Sequence, residues 1–227
     1  MTQMSAEGVP VRSATAIKIP KRYDFSKAHI ISSVENSLRR LQTDYLDILL
    51  LHRPDFLMDV HEVAEAFNEL NNQGKVSFFG VSNFSVSQIG LLQSALSFPL
   101  VANQLEINLH NIESFSDGSL DQCQLKNIVP MAWCPLANVA YEAWGNTFSS
   151  DRLAVMNAEL ARQASIYGCS PQSVVFAWLM KHPAKIFPIV GSTRLKHIEA
   201  AISSFGFTYS REDWYNLWEA RSGYPVA

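Results

Sequence analysis

The feature that most constrains the fold is a regular alternation between amphipathic helical segments and short apolar runs. The clearest run, residues 45–51, is almost wholly apolar and ends abruptly at His52. A short apolar run bounded by polar residues is typical of a buried strand. Strands that alternate with single helices form right-handed βαβ units, which build a parallel sheet. The sequence therefore predicts an α/β fold.

Local signals predict where the elements begin. N-capping residues and a proline at the first helical position predict helix starts; these residues are Ser26, Asp59, Ser85, Ser170 with Pro171, and Ser210. Four further strands are predicted over residues 76–81, 99–104, 129–133 and 186–190. Residues 1–24 show no clear period and are predicted to form an irregular loop. No linker-like stretch divides the chain, so residues 1–227 are predicted to form a single domain.

Composition excludes several classes of function. The 227 residues are 48% apolar and carry a formal net charge of −3, so the chain can bury a core but has no basic excess for nucleic acid. The longest apolar run is too short to span a bilayer, which predicts no membrane partner. The first residues lack a basic start and an apolar core, and three cysteines lack metal-like spacing, so a cytoplasmic protein with free thiols is expected.

Polar residues cluster directly after the predicted strands. They are His52, Arg53, Ser82, Asn83, Gln104, Cys134, Gly191, Ser192 and Thr193. That position is the carboxyl edge of a parallel sheet, where both open doubly wound sheets and (β/α)₈ barrels carry their sites. The sequence contains no GxGxxG or GxxxxGK loop, which weakens the doubly wound nucleotide-binding alternative.

Six segments in a fixed order resemble a known family. They are residues 44–55 (DYLDILLLHRPD), 74–75 (GK), 80–84 (GVSNF), 103–106 (NQLE), 131–136 (MAWCPL) and 188–193 (PIVGST). From Tyr23 onward the chain resembles the aldo-keto reductases, in particular the bacterial branch with a His-Arg-Pro-Asp turn. The resemblance implies a TIM (β/α)₈ barrel, incomplete at the N-terminus with about six of eight units, and NADPH-dependent reduction of aldehydes or ketones.

The resemblance also implies roles for individual residues. His52 would hydrogen-bond the carbonyl oxygen of a small-molecule substrate. The residues expected to bind the cofactor are Ser82, Asn83, Gln104, Trp133, Pro135, Leu136, Gly191, Ser192, Thr193, Arg194 and His197. Many family members have Lys where Gly191 stands and Arg where His197 stands, so NADH remains an alternative to NADPH. Taken one by one, these polar residues are equally typical of loop caps and solvated helix faces.

The matching segments begin in mid-barrel, so three catalytic residues of the family have no counterpart. No Tyr or Asp falls at the matching positions, and the best match to the catalytic Lys is Met4. The chain is therefore expected to be weakly active or inactive. The alternatives are a cofactor-binding or regulatory protein without turnover, and a lyase or isomerase using His52 with Glu106 or Asp55. Unpaired strand edges predict a homodimer.

Overall fold

The computed structural model describes residues 2–4, 22–137 and 148–226. The chain divides into two compact units, residues 1–103 and residues 104–227. Each unit is described by itself, and the single domain over residues 1–227 stays a prediction. Most of the predicted loop 1–24 lies outside the described residues.

The first unit contains three helices and the first strands of a sheet. In chain order it has β1 (Thr2–Met4), α1 (Lys27–Leu41), β2 (Leu46–Leu51), α2 (Val60–Asn72), β3 (Val76–Ser82), α3 (Val86–Ala95) and the start of β4 (Ala102–Glu106). Strands β1 and β2 pair in parallel, as do β2 and β3. The order of neighbours is β1-β2-β3-β4.

Capping side chains explain where the helices of the first unit begin. Ser26 Oγ accepts from His29 N at 3.3 Å, and α1 then buries Ile30, Val34 and Leu38 at four-residue spacing. Asp59 caps α2 as predicted. The predicted capping box of Asp59 with Glu62 is incomplete, because Glu62 Oε1 accepts from Lys27 N at 2.9 Å, on α1.

The described residues of the second unit, 104–137 and 148–226, form five helices and short strands. After the end of β4 come a 3₁₀ turn (Glu113–Phe115), α4 (Ser119–Lys126), β5 (Val129–Trp133), α5 (Ser150–Tyr167), α6 (Pro171–Met180), β6 (Phe187–Pro188), α7 (Leu195–Ser203) and α8 (Arg211–Ser222). Its strand order is β4-β5-β6, and β5 and β6 pair in parallel. No helix in the described ranges is long and apolar enough to cross a membrane.

The core of the second unit is mainly aliphatic, and a cluster of aromatic rings packs within it. The rings of Trp178 and Trp214 stack with centroids 5.2 Å apart and planes at 8°. Each indole N–H donates to the other residue's backbone carbonyl, at 3.2 and 3.0 Å. Phe115 and Trp218 pack against the same pair. This cluster joins α6, α8 and the 3₁₀ turn.

Three sequence predictions need correction. The predicted loop 1–24 is wrong for Thr2–Met4, which form β1 because they find hydrogen-bonding partners in β2. The strand predicted over 99–104 runs instead over Ala102–Glu106, since pairing with β3 sets its register. The strand predicted over 186–190 shrinks to Phe187–Pro188. Pro188 has no N–H to donate to a sheet.

Candidate active and cofactor site

The candidate catalytic residue of the first unit, His52, directly follows the last residue of β2 and is half-buried. The turn after it is fixed by Asp55. One carboxylate oxygen of Asp55 accepts from Phe25 N at 3.0 Å, and the other accepts from Leu57 N at 2.9 Å. Asp55 therefore links the His52 turn to the chain entering α1. This use of both oxygens gives Asp55 a structural role in the turn.

Ser82 and Asn83 lie at the carboxyl end of β3, next to His52. Leu51 pairs with Val81 in the β2–β3 register, so His52 and Ser82 follow paired residues at one edge of the sheet. Ser82 is buried, and its Oγ accepts from Asn83 Nδ2 at 2.8 Å. Asn83 has a φ of +58°, a left-handed conformation that Asn tolerates well. Its backbone thus turns sharply away from the strand.

Sequence reasoning missed Asn103, which holds the Ser82–Asn83 turn. Its side chain is fully buried, and its Nδ2 donates to the carbonyl oxygen of Phe84 at 3.0 Å. This hydrogen bond, from a buried side-chain amide on β4 to the loop after β3, fixes where that loop leaves the sheet. Its sequence signal was its place at the start of the family-like segment 103–106, directly before Gln104.

Within the second unit, Gln104 and Trp133 lie on neighbouring strands. Gln104 is a buried residue of β4, and Trp133 is the half-buried last residue of β5. Beyond Trp133 the chain turns at Cys134, whose φ is +48° and whose carbonyl accepts from Ala137 N at 2.9 Å. In this turn Pro135 is buried and Leu136 is exposed.

A second buried amide, Asn108, supports this turn and was also missed by sequence reasoning. Its Nδ2 donates to the carbonyl oxygen of Cys134 at 3.1 Å, while its Oδ1 accepts from His110 N and Asn111 N, both at 2.8 Å. Arg221 in α8 closes the arrangement by donating to the Leu109 carbonyl at 2.8 Å. The loop after β4 therefore holds the turn after Trp133 in place.

The thiol of Cys134 is kept neutral. Burial, reinforced by the nearby negative charge of Glu106, raises its pKa. A thiol with a raised pKa is a poor nucleophile at neutral pH. The groups at this edge of the sheet that can interact with a ligand are therefore hydrogen-bonding side chains and the aromatic surface of Trp133.

The predicted phosphate-binding residues lie between β6 and α7. Ser192 Oγ accepts from Arg194 N at 3.2 Å and forms a hydrogen bond with His197 Nδ1 at 3.0 Å. Gly191, Thr193 and Arg194 are exposed. No side chain caps the start of α7 among the described residues, and its first turn contains no acidic residue. The backbone amides at this helix start are therefore offered to an anion beside Arg194.

In each unit the structure places the predicted residues at carboxyl strand ends. His52, Ser82 and Asn83 share one edge in the first unit. In the second unit Gln104 lies within β4, Trp133, Pro135 and Leu136 end or follow β5, and Gly191, Ser192, Thr193, Arg194 and His197 follow β6. Polar groups at the carboxyl ends of parallel strands are typical of the sites of α/β proteins, including (β/α)₈ barrels. The chain belongs to the aldo/keto reductase family, whose model matches residues 13–221.

Several relatives are similar to this chain over most of its length. An uncharacterized oxidoreductase, YcsN, from Bacillus subtilis is 45% identical over 204 residues, which cover 90% of this chain and 67% of the relative. A 6-dehydroglucose reductase from Agrobacterium fabrum is 41% identical over 207 residues, covering 91% of this chain and 67% of the relative. The chain thus spans about two thirds of the length of these relatives.

Solved structures give the same result for the fold. The thermostable aldo-keto reductase Tm1743, solved with the inhibitor epalrestat, matches with a TM-score of 0.76 at 26% identity, over 86% of this chain and 67% of that chain. An aldo/keto reductase from Klebsiella pneumoniae, solved with NADP and acetate, matches with a TM-score of 0.74 at 28% identity, over 89% and 67%. The predicted TIM-barrel class, covering part of the barrel, is confirmed.

Proposed function

We propose that this chain binds NADPH and belongs to an enzyme that reduces the carbonyl group of an aldehyde or ketone. The observation that carries the proposal is Gln104, whose polar side chain is buried within β4. Family membership and the NADP-bound Klebsiella relative support a nicotinamide cofactor. NADH is the alternative cofactor.

The residues present fit such a cofactor chemically. Ser82, Asn83 and Gln104 offer the donors and acceptors that a carboxamide needs, and Trp133, beside Pro135 and Leu136, offers a half-buried aromatic surface for a planar ring. The uncapped start of α7, with Gly191, Ser192, Thr193, Arg194 and His197, suits a phosphate group. When bound, NADPH supplies the hydride that reduces the carbonyl carbon.

His52 has the role of orienting the substrate. An imidazole at a strand end can donate a hydrogen bond to a carbonyl oxygen and polarise it. The Asp55 bonds to Phe25 N and Leu57 N hold the turn on which His52 lies. The substrate class proposed is therefore a small molecule with an accessible aldehyde or ketone group.

We further propose that the 227-residue chain by itself turns over slowly. Met4, the best match to the family's catalytic Lys, ends β1 and pairs with Leu51, the residue before His52. A thioether cannot lower the pKa of a proton donor as an ammonium group does. Loss of a positioned acid costs about 10²–10⁴-fold in rate. Met4 also favours the second candidate, a cofactor-binding protein without turnover.

The cytoplasmic location and the homodimer are also proposals. Cys123, Cys134 and Cys169 are all free thiols, which supports a cytoplasmic location. A homodimer stays a prediction from the strand edges.

Fluorescence titration with NADPH tests the proposal. We expect quenching of tryptophan emission with micromolar affinity, and an affinity about tenfold weaker for Gln104→Ala, because a buried hydrogen-bonding group is lost. The matched control is Gln124→Ala, an exposed amide on α4 that should bind like the parent chain. Absence of binding at millimolar NADPH, or equal affinity of both variants, would contradict the proposed cofactor site.

Carbonyl-dependent oxidation of NADPH then separates the two candidate functions. Slow oxidation that requires an added aldehyde or ketone supports the reductase, and its loss in His52→Ala supports the role of His52. NADPH binding without any such oxidation supports the cofactor-binding protein.

A further inference from the structure

A cavity of about 410 Å³ opens in the second unit, away from the residues assigned above. It is formed by two chain segments, the end of α6 with the residues after it and the first turns of α8. Its lining residues are Lys181, His182, Pro183, Arg211, Trp214 and Tyr215. Residues 181–183 precede β6, whereas the predicted phosphate-binding residues follow it. The cavity therefore lies at the amino end of β6, the end opposite to Gly191 and Arg194.

The aromatic wall of the cavity is rigid. Arg211, Trp214 and Tyr215 lie at positions i, i+3 and i+4 of α8, so they share one helix face. Trp214 is fixed by its stacking and its mutual hydrogen bonds with Trp178. Tyr215 meets Trp214 edge to face, with centroids 5.0 Å apart and planes at 80°. The two rings, with their planes at 80°, form an apolar corner that can receive a flat group.

The polar groups of the cavity are mainly hydrogen-bond donors. Lys181 and Arg211 have donors only. The Nδ1 of His182 accepts from Ala184 N at 3.2 Å, which leaves Nε2 as the N–H of its ring, and burial lowers the pKa of His182 despite the opposing charge of Asp121. The Tyr215 hydroxyl oxygen accepts from Arg211 at 3.4 Å, so its O–H remains a donor.

Positive charge dominates the lining. Among the described residues that line the cavity, two are cations and none is a carboxylate. Neighbouring Asp213 is already engaged by Arg162, Tyr167 and Ser210 at 2.5, 2.6 and 3.0 Å. The Arg211 guanidinium lies 5.4 Å from the centroid of the Tyr215 ring, which places the charge beside the aromatic corner.

We propose that this cavity is a binding site for an aromatic anion, a planar ring that carries a carboxylate or phosphate group. The ring packs in the corner of Trp214 and Tyr215, and the anionic group is held by Lys181 and Arg211. The volume is within the range of small-molecule sites, about 300–1,000 Å³. The site is separate from the proposed cofactor residues, so it provides a second small-molecule site on the chain.

Titration with phenyl phosphate, followed by the indole ¹H–¹⁵N resonance of Trp214, tests the site. We expect a saturable shift of that resonance at sub-millimolar phenyl phosphate. Inorganic phosphate supplies only the charge, and phenol supplies only the ring. Each should bind at least about tenfold more weakly than phenyl phosphate. An unmoved Trp214 resonance at millimolar phenyl phosphate would overturn the proposal. Equal affinity for phenol would show an apolar pocket that does not select anions.

Variants locate the binding on this cavity. Arg211→Gln and Lys181→Gln, both at exposed positions, should each weaken phenyl phosphate about tenfold, because a charge-assisted hydrogen bond is lost. Arg40→Gln, an equally exposed change on α1, should have no effect. Equal weakening by Arg40→Gln would assign the binding to non-specific charge. Gln104→Ala should leave phenyl phosphate binding intact, so failure of the proposed cofactor site and failure of this site are distinguishable.

Discussion

The two units place their functional residues by different means. In the first unit the backbone does so, because β2 and β3 pair from Leu46 with Val76 to Leu51 with Val81, and His52 and Ser82 follow this ladder. In the second unit β5 and β6 pair through Met131 with Phe187 and Ala132 with Pro188. In the first unit the long ladder sets where the strands end, and the side chains of Asp55 and Asn103 then hold the turns that follow.

In the second unit, side-chain hydrogen bonds hold the turns that follow the strands. Asn108 holds the turn after Trp133, and Ser192 holds the turn before α7. Helix α7 has no buried residue, and Leu195 and Ile202 are 68% and 63% exposed. The helices α5 and α8 are joined by the bonds of Asp213 with Arg162 and Tyr167. Stability in this unit therefore depends on particular side chains more than on strand pairing.

Gly80→Ala should reduce the free energy of unfolding most, because it disturbs the packing of β3 against its neighbouring strands. A Cβ on Gly80 would lie 2.6 Å from the backbone oxygen of Ala102 and 2.6 Å from Leu50 Cδ2. The backbone oxygen of Ala102 can move away from the new Cβ only if β4 shifts as well. We therefore expect the free energy of unfolding to fall by about 3 kcal/mol. Urea unfolding followed by circular dichroism measures it.

Gly90→Ala is the matched control, since nothing lies within 4 Å of its Cβ position in α3. There the same change should stabilise the protein by up to about 1 kcal/mol, because alanine favours the helix interior. Equal effects of the two variants would show that the approach of β3 to β4 does not limit the first unit.

A pair of leucine truncations tests the contrast between buried α3 and exposed α7. Leu92 on α3 is 0% exposed, so Leu92→Ala should cost about 3 kcal/mol through lost contacts and a cavity. Leu195→Ala removes the same atoms from a side chain that is 68% exposed and should cost less than about 0.5 kcal/mol. The same urea experiment measures both. A cost at Leu195 close to that at Leu92 would mean that a partner surface covers α7 in solution.

Local signals explain how much of this fold the sequence predicted. The starts of α1, α3, α6 and α8 depend on a Ser that caps the helix within a few residues, and all four were predicted from that pattern. Strand limits depend on a partner strand far along the chain, so the predictions for β1, β4 and β6 were wrong in extent. Phe78 also differs from the sequence expectation. An apolar residue in a strand was expected to be buried, but Phe78 is exposed.

The candidate site was predicted as residues at strand ends, but its supports were not. Asn103 and Asn108 are fully buried amides whose partners, Phe84 and Cys134, lie 19 and 26 residues away. No periodicity indicates which carbonyl a buried amide will reach. The cavity of α6 and α8 was missed for the same reason, since Lys181 and Arg211 converge only through helix packing.

Asp213→Asn should give a smaller loss than Gly80→Ala or Leu92→Ala, and this loss should depend on pH. Burial opposes ionisation of Asp213, but hydrogen bonds from Tyr167, Arg162 and Ser210 outweigh it, so the pKa of this carboxyl is lowered from 3.8. A carboxyl whose pKa is lower in the folded state stabilises the fold above its unfolded pKa, and this contribution is lost as the pH falls through the folded value. At neutral pH the variant should lose about 1–2 kcal/mol.

The pH dependence distinguishes this charge network from simple packing. Urea unfolding of both proteins should show the penalty of Asp213→Asn shrinking as the pH falls below 3.8, because the native stabilisation is lost as the folded carboxyl, whose pKa is lowered, becomes protonated. Glu212→Gln, an exposed neighbour on α8, should change the stability by less than about 0.5 kcal/mol across the same pH range. A penalty at Asp213 that stays constant with pH would mean that shape, and not charge, joins α5 to α8. The second unit would then resemble the first in depending on close packing.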